Sequence, residues 1–441
     1  MEAERSVTNG RNAYYTSPWI LLQLSSLGVI SYKENNEKSP ELVALLHNNE
    51  DSDIDDVEKN NTLSHDDTTP FLDDTYRLQR QHFGLWPTRR RLLFILSSIA
   101  MFVSVAATVY LFVNTMLNYF GDTKKIIHFI SMTTLSLNLL LLPVGCSISR
   151  LYFHFVRTKT AKAKDCCSIA WCLWMFLEEP FVVRRLRFLP LSAKNKLFPV
   201  SSFLVVSFIA WIIAGYLTFV VYYRLVPQCS NRSESIFHGI ACLIGEIYFC
   251  LFCNYVFMLR KSLREELLFL IKYCYCNEGN IQSCRRRIVS MVRDYRVIRT
   301  VTNLWMQIVL PASVLGLVVH IKWNYLVFTK DREKTDDIEP MDYESLVMLS
   351  IYIFVSKLMV TGLPVLALGG TDLQYLWNEM RLTLSLIQQF HAEGFWKETL
   401  KFVHKLNPHG TEEWVASVAL SVIGVYLGLK VGTQDIDYKC T

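Results

Sequence analysis

Arg89-Arg90-Arg91 opens the stretch that decides the fold, and LLFILSSIAMFVSVAATVYLFVNTM (residues 92–116) follows it. That run holds no Asp, Glu, Lys or Arg. A bilayer-spanning helix needs about 20 mostly apolar residues, because the hydrocarbon core is about 30 Å thick and each helical residue rises about 1.5 Å. The run satisfies that requirement, and the arginines before it mark the side that stays in the cytosol. Six further stretches qualify, so the spans read Arg91–Met116, Ile126–His154, Leu197–Tyr223, Ile236–Leu259, Val301–Phe328, Ser345–Gly369 and Trp414–Val431. A shorter apolar piece, Cys166–Phe176, runs into Glu178-Glu179-Pro180 and reads as an interfacial or buried helix, not an eighth span.

The composition agrees. Apolar residues make up 51% of the 441 and charged residues 19%, against about a quarter charged in ordinary soluble domains. A disordered chain, a collagen-like fibre and a small disulfide scaffold are excluded. The net charge of +5 comes mostly from basic segments beside the apolar blocks and calls for no nucleic-acid partner. The twelve cysteines are dispersed through apolar blocks and basic loops, so reduced thiols are expected. Cys274, Cys276 and Cys284 lack a fourth ligand at zinc-finger spacing, and no metal or cofactor is expected. Pro18–Ile30 is too short to span, and no small-residue cleavage site follows it.

Orientation follows from the short loops. Nine Lys or Arg residues lie between spans two and three, among them Arg184 and Arg185, and ten lie between spans four and five, including Arg260 and Arg285–Arg287. Both loops are expected in the cytosol. Alternate loops are less basic, and one carries the sequon Asn231-Arg232-Ser233, which fits glycosylation on the outer side. Seven spans then leave the C-terminus outside, the inverse of a G-protein-coupled receptor. Arg260–Asn277 carries Leu263, Leu267, Leu270 and Ile271 near a 3.6 period, Ile281–Thr302 carries Ile288, Met291 and Ile298, and Leu373–His404 repeats the pattern. Spans four to seven are therefore expected to project into the cytosol as amphipathic helices.

The expected architecture is all-α: a polytopic seven-helix transmembrane protein with a cytosolic N-terminus and an extracellular C-terminus. Residues 1–88 form a cytosolic tail, with a short amphipathic helix near 18–32 and a disordered acidic insert at 50–75. Residues 89–431 form the membrane domain, including cytosolic helices at 260–300 and 371–413, and 432–441 is a short outer terminus.

This layout resembles the insect gustatory and odorant receptors and their gustatory-receptor-like relatives in nematodes and other animals. Leu24-Ser25-Ser26-Leu27-Gly28-Val29-Ile30 is similar to the leucine-rich, Leu-Gly run before the first span of gustatory receptors. Their last-span motif is Thr-Tyr, five apolar residues, then Gln-Phe. Here Val425-Tyr426 is followed by Leu427–Val431 and then by Gly432-Thr433-Gln434, with the Thr and the Phe missing. The resemblance is thus to a divergent gustatory-receptor-like member. It implies a plasma-membrane, homotetrameric cation channel, gated by a small-molecule ligand or by light, with the last span lining a central pore.

Ser417, Ser421, Gly424 and Gly428 share one face of that span, and Gly424, Gly428 and Gly432 form a doubled G-x-x-x-G. Small residues serve close helix packing in lipid; the resemblance makes the same face a pore wall. Glu246 in span four and Lys357 in span six are ionisable residues at similar depth, where a pair would offset the cost of burial. Aromatic residues crowd the outer halves, as an interfacial belt or as the lining of an outward-opening ligand pocket. Tyr216, Phe219, Trp323 and Tyr352, with Glu246 and Lys357, are the pocket candidates. No catalytic triad spacing, H-E-x-x-H or nucleophile elbow is present, so an enzyme is not expected. A non-conducting receptor working through a cytosolic partner, or a transporter, remains open; Pro311 and Pro364 interrupt spans five and six without a matching pair earlier in the chain.

Overall fold

The computed structural model describes residues 18–29, 87–119, 145–146, 148, 169–186, 188–189, 209, 212–213, 216, 232–276, 281–330, 351, 354, 362–364, 367, 378–383, 385, 422–423 and 426. Among the described residues the fold is all-helical, with no strand. Six helices carry it: α1 (Pro18–Ser26), α2 (Pro87–Tyr119), α3 (Ile169–Phe176), α4 (Glu179–Leu186), α5 (Arg232–Cys276) and α6 (Ile281–Lys330).

α5 and α6 form the spine. The stretch read as span four and its amphipathic continuation are one 45-residue helix, and the stretch read as span five and its lead-in are one 50-residue helix. At about 1.5 Å per residue they extend roughly 70 Å and 75 Å, more than twice the hydrocarbon thickness. They pack against each other. The Arg287 guanidinium lies 5.5 Å from the Phe269 ring centroid, and further along Phe252 meets Trp305 edge-on at 5.2 Å. The two helices therefore run antiparallel. Leu263, Leu267 and Leu270 on α5 and Ile288, Met291 and Ile298 on α6 are buried, the stripe that the 3.6 period anticipates.

Among the described residues, two helices are long and apolar enough to cross a membrane, Thr88–Asn114 within α2 and Leu243–Lys272 within α5. α2 rests on α5 and α1. It buries Arg90, Leu93 and Ser97, spaced three and four residues apart, and Ala107 further along. Around that seam it shows bare hydrocarbon: Phe102 is 73% exposed and Leu117 79%. The Ser98 hydroxyl donates to the Phe94 carbonyl at 3.0 Å, so this exposed polar group needs no water.

α1 starts on Pro18, where a missing N–H costs nothing, and ends in a Schellman turn. Gly28 takes φ 76°, its N–H donates to Ser25 O at 2.9 Å, and the Val29 N–H donates to Leu24 O at 2.9 Å. Leu24 and Val29, which flank that turn, are fully buried. α1 thus lies in the core against α2 and α5 and ends earlier than residue 32.

α3 and α4 form a buried wedge. Cys172, Trp174, Phe176, Phe181, Val182 and Val183 are all buried, with α3 against α6 and α4 against α5. Of the two surroundings open to this segment, interface or interior, it takes the interior. The break between the two helices follows from Pro180, which lacks the N–H a continuous helix would need but sits harmlessly in the first turn of α4.

Candidate functional site

Two sites lie on the α5–α6 spine. The first is aromatic. Phe176 of α3 packs on Phe252 at 6.0 Å and edge-on to Tyr255 at 5.2 Å, while Trp305 of α6 meets Phe249 at 6.0 Å and Phe252 at 5.2 Å. The Tyr255 hydroxyl donates to the Phe176 carbonyl. Trp305 is fully buried, and its indole N–H has no hydrogen-bond partner among the described residues. On the opposite side of α5, Gln23 of α1 donates to the Leu251 carbonyl at 3.0 Å and accepts from the Asn254 amide at 2.8 Å. Each buried amide of this pair is thus bonded to the other, which limits the cost of placing them in an apolar interior.

The second site is ionic and centres on α4. Glu179, in the first turn, accepts two hydrogen bonds from one Arg90 nitrogen of α2, at 2.9 and 3.1 Å. Arg184 and Arg185 close the last turn. Arg184 grips Asp294 of α6 with two parallel bonds, Nε to Oδ2 at 2.8 Å and Nη2 to Oδ1 at 2.5 Å. Arg185 bridges two helices, reaching Glu266 of α5 at 2.5 Å and Asp294 at 2.8 Å. An acid in the first turn and bases in the last also complement the dipole of α4. Burial works against the Arg185 charge; the Glu266 and Asp294 carboxylates outweigh it and hold the guanidinium above the ordinary arginine value. Among the described residues, three basic side chains face three acidic ones, and burial, against the pull of Arg185, raises the Glu266 carboxyl above the ordinary glutamate value. Arg185, Glu266, Asp294, Glu179 and Arg90 are all buried.

Of the pocket candidates, Glu246 lies buried on α5, one turn before Phe249 and Cys250. Tyr216 is helical and 63% exposed. Trp323 lies on the α6 backbone. Phe219, Tyr352, Lys357, the sequon Asn231 and the small-residue face of Ser417, Ser421, Gly424, Gly428 and Gly432 lie outside the described residues. Among the described residues, no group of three or more His, Cys, Asp or Glu is placed to hold a metal ion.

The ionic site was not among the residues singled out from sequence, where Arg184 and Arg185 entered only as loop charges that set topology. A cue was present. Asp294 is the only acidic residue between Ile281 and Thr302, a stretch with six arginines, and Glu179 precedes a proline in an apolar setting. Comparison with protein-family models, with curated proteins and with solved structures finds no match.

Proposed function

We propose that this chain is a seven-span, multi-pass plasma-membrane protein of the gustatory-receptor-like kind, acting as a homotetrameric cation channel gated by a small molecule or by light. Its N-terminus is cytosolic, its C-terminus is extracellular, and its last span, Trp414–Val431, lines the pore. The observation that carries this reading is the length of α5 and α6. At 45 and 50 residues, each has enough helix to cross a bilayer and continue well beyond it, the shape implied by the resemblance for spans four and five. The bare apolar surface of α2 supports placement in lipid, because such a surface is stable only in an apolar solvent.

On this reading the four-fold axis repeats Ser421 four times in one ring. The chain is expressed in a cell without endogenous channels and recorded under illumination and under a panel of small-molecule stimuli, beside quantification of surface protein. A stimulus-dependent cation current is expected, and Ser421→Trp is expected to abolish it while surface protein persists. A wild-type chain that reaches the surface as a monomer and passes no current under any stimulus would overturn the channel and leave the receptor or transporter. Surface staining of an N-terminal tag on intact cells would overturn the topology.

A further inference from the structure

α4 is eight residues long, yet it is tied by charge to three long helices: Glu179 to α2 through Arg90, Arg185 to α5 through Glu266, and both arginines to α6 through Asp294. Buried ion pairs add little net stability over apolar packing, so their best-attested value is in fixing register between helices. Register matters here, because apolar contacts between two antiparallel helices of 45 and 50 residues are non-directional, whereas an ion pair holds only at one register. A slide would tear Arg185 from one of its two carboxylates.

A second, independent observation lies further along α6. From Ile288 to Val309, buried side chains recur on every turn. Pro311 follows within the helix. It offers no N–H to the Gln307 carbonyl four residues back, the usual cause of a bend or joint in a long helix. Beyond it no described side chain of α6 is buried: residues 311, 314, 315, 317 and 318 are half-buried and Ile321 is 53% exposed. Among the described side chains, the change from dense to loose packing coincides with the proline.

We infer that α4 is a latch that locks the Glu266–Asp294 end of α5 and α6, together with the start of α2, into one rigid body, and that Pro311 is the joint about which the rest of α6 moves. Neither half of this device depends on the chain conducting ions, so it stands or falls apart from the proposed channel.

The test measures distance distributions by pulsed electron resonance on the full-length protein in lipid nanodiscs. Nitroxides are attached through a ketone-bearing amino acid, which leaves the native cysteines in place. One labelled pair, at Lys272 and Arg296, reports on the latched end; the other, at Ile240 and Ile321, reports on the far end, and all four positions are exposed. The far-end distribution is expected to be about twice as wide as the latched one. Pro311→Ala is expected to narrow the far-end distribution and leave the latched pair unchanged. Arg185→Met is expected to widen the latched pair to the breadth of the far end. Equal widths in the wild type overturn the inference, as does an unchanged far end in Pro311→Ala. Should Arg185→Met fail to fold, the wild-type comparison and Pro311→Ala decide the matter by themselves.

Discussion

α2 and α5 each contain a stretch long and apolar enough to cross a membrane, but their surroundings are opposite. The α2 window has a mean hydropathy of 2.4 and is 19% buried within the protein; the α5 window has 1.4 and is 72% buried. The more apolar helix is the more exposed one, the reverse of what water would select. Among its described side chains, α2 buries one seam and presents leucine, isoleucine and phenylalanine elsewhere. α5 has protein on most sides, and for that reason it can carry Asn254, whose amide nitrogen donates to Gln23 of α1, and Glu266, whose carboxylate accepts from Arg185 of α4. Hydropathy thus separates two surroundings, a largely bare apolar face for α2 and protein for α5, and the polar content of α5 goes with its protein surroundings.

The largest expected effect tests the protein-facing side. Arg185→Ala leaves Glu266 and Asp294 buried with one fewer cation between them, a change that costs about 3–5 kcal/mol when one partner of a buried pair is lost. Thermal unfolding in nanodiscs is expected to show a large loss, with Arg89→Ala, an exposed arginine at the start of α2, as the matched control near wild type. Equal behaviour of the two variants would mean that the α4 cluster is not the internal tie described here.

A comparable effect separates the two helices directly. Phe252→Ala on α5 removes a ring packed between Phe176 and Trp305 and is expected to cost about 3–5 kcal/mol, at the lower end if the aromatic cluster collapses into the gap. Phe102→Ala on α2 removes a ring with no protein around most of it and is expected to cost within about 0.5 kcal/mol. Phe102→Arg then identifies the solvent. It should be neutral if that face meets water, and should reduce membrane insertion by about 2.5–3.5 kcal/mol if it meets the centre of a bilayer. A glycosylation-tagged insertion assay reads the difference, and a neutral Phe102→Arg would break the contrast between the two helices.

These contrasts also show what the sequence makes legible. Span-length runs, the 3.6-period stripe of Leu263, Leu267 and Leu270, and the helix opening on Pro18 are local patterns, set by residues within a few turns of each other. The Arg90–Glu179 and Arg184–Asp294 pairs are 89 and 110 residues apart. Nothing local distinguishes Arg184 and Arg185 from the other basic residues of their loop, and the positive-inside pattern accounts for all of them equally well. Only the tertiary fold, which inserts α4 between α2, α5 and α6, selects two arginines as internal. Glu246 stood out because a lone charge inside an apolar run is conspicuous, whereas Glu266 sits in mixed, amphipathic sequence where a charge attracts no notice.

A modest predicted effect isolates one hydrogen bond at the junction of the wedge and the spine. Phe176 is the last residue of α3, so its carbonyl belongs to the final turn, whose acceptors have no donor within the helix. The Tyr255 hydroxyl of α5 supplies one. Tyr255→Phe keeps the edge-on ring contact with Phe176 and removes only that donor, so the loss should be about 1 kcal/mol, the typical net value of a buried hydrogen bond. It should fall well below that of Phe252→Ala, one turn away on the same helix. A Tyr255→Phe variant as damaged as Phe252→Ala would show that the capped carbonyl, more than aromatic packing, holds α3 on α5. A variant indistinguishable from wild type would show that the α3 end is held by its apolar side chains alone, and that its carbonyl finds another donor.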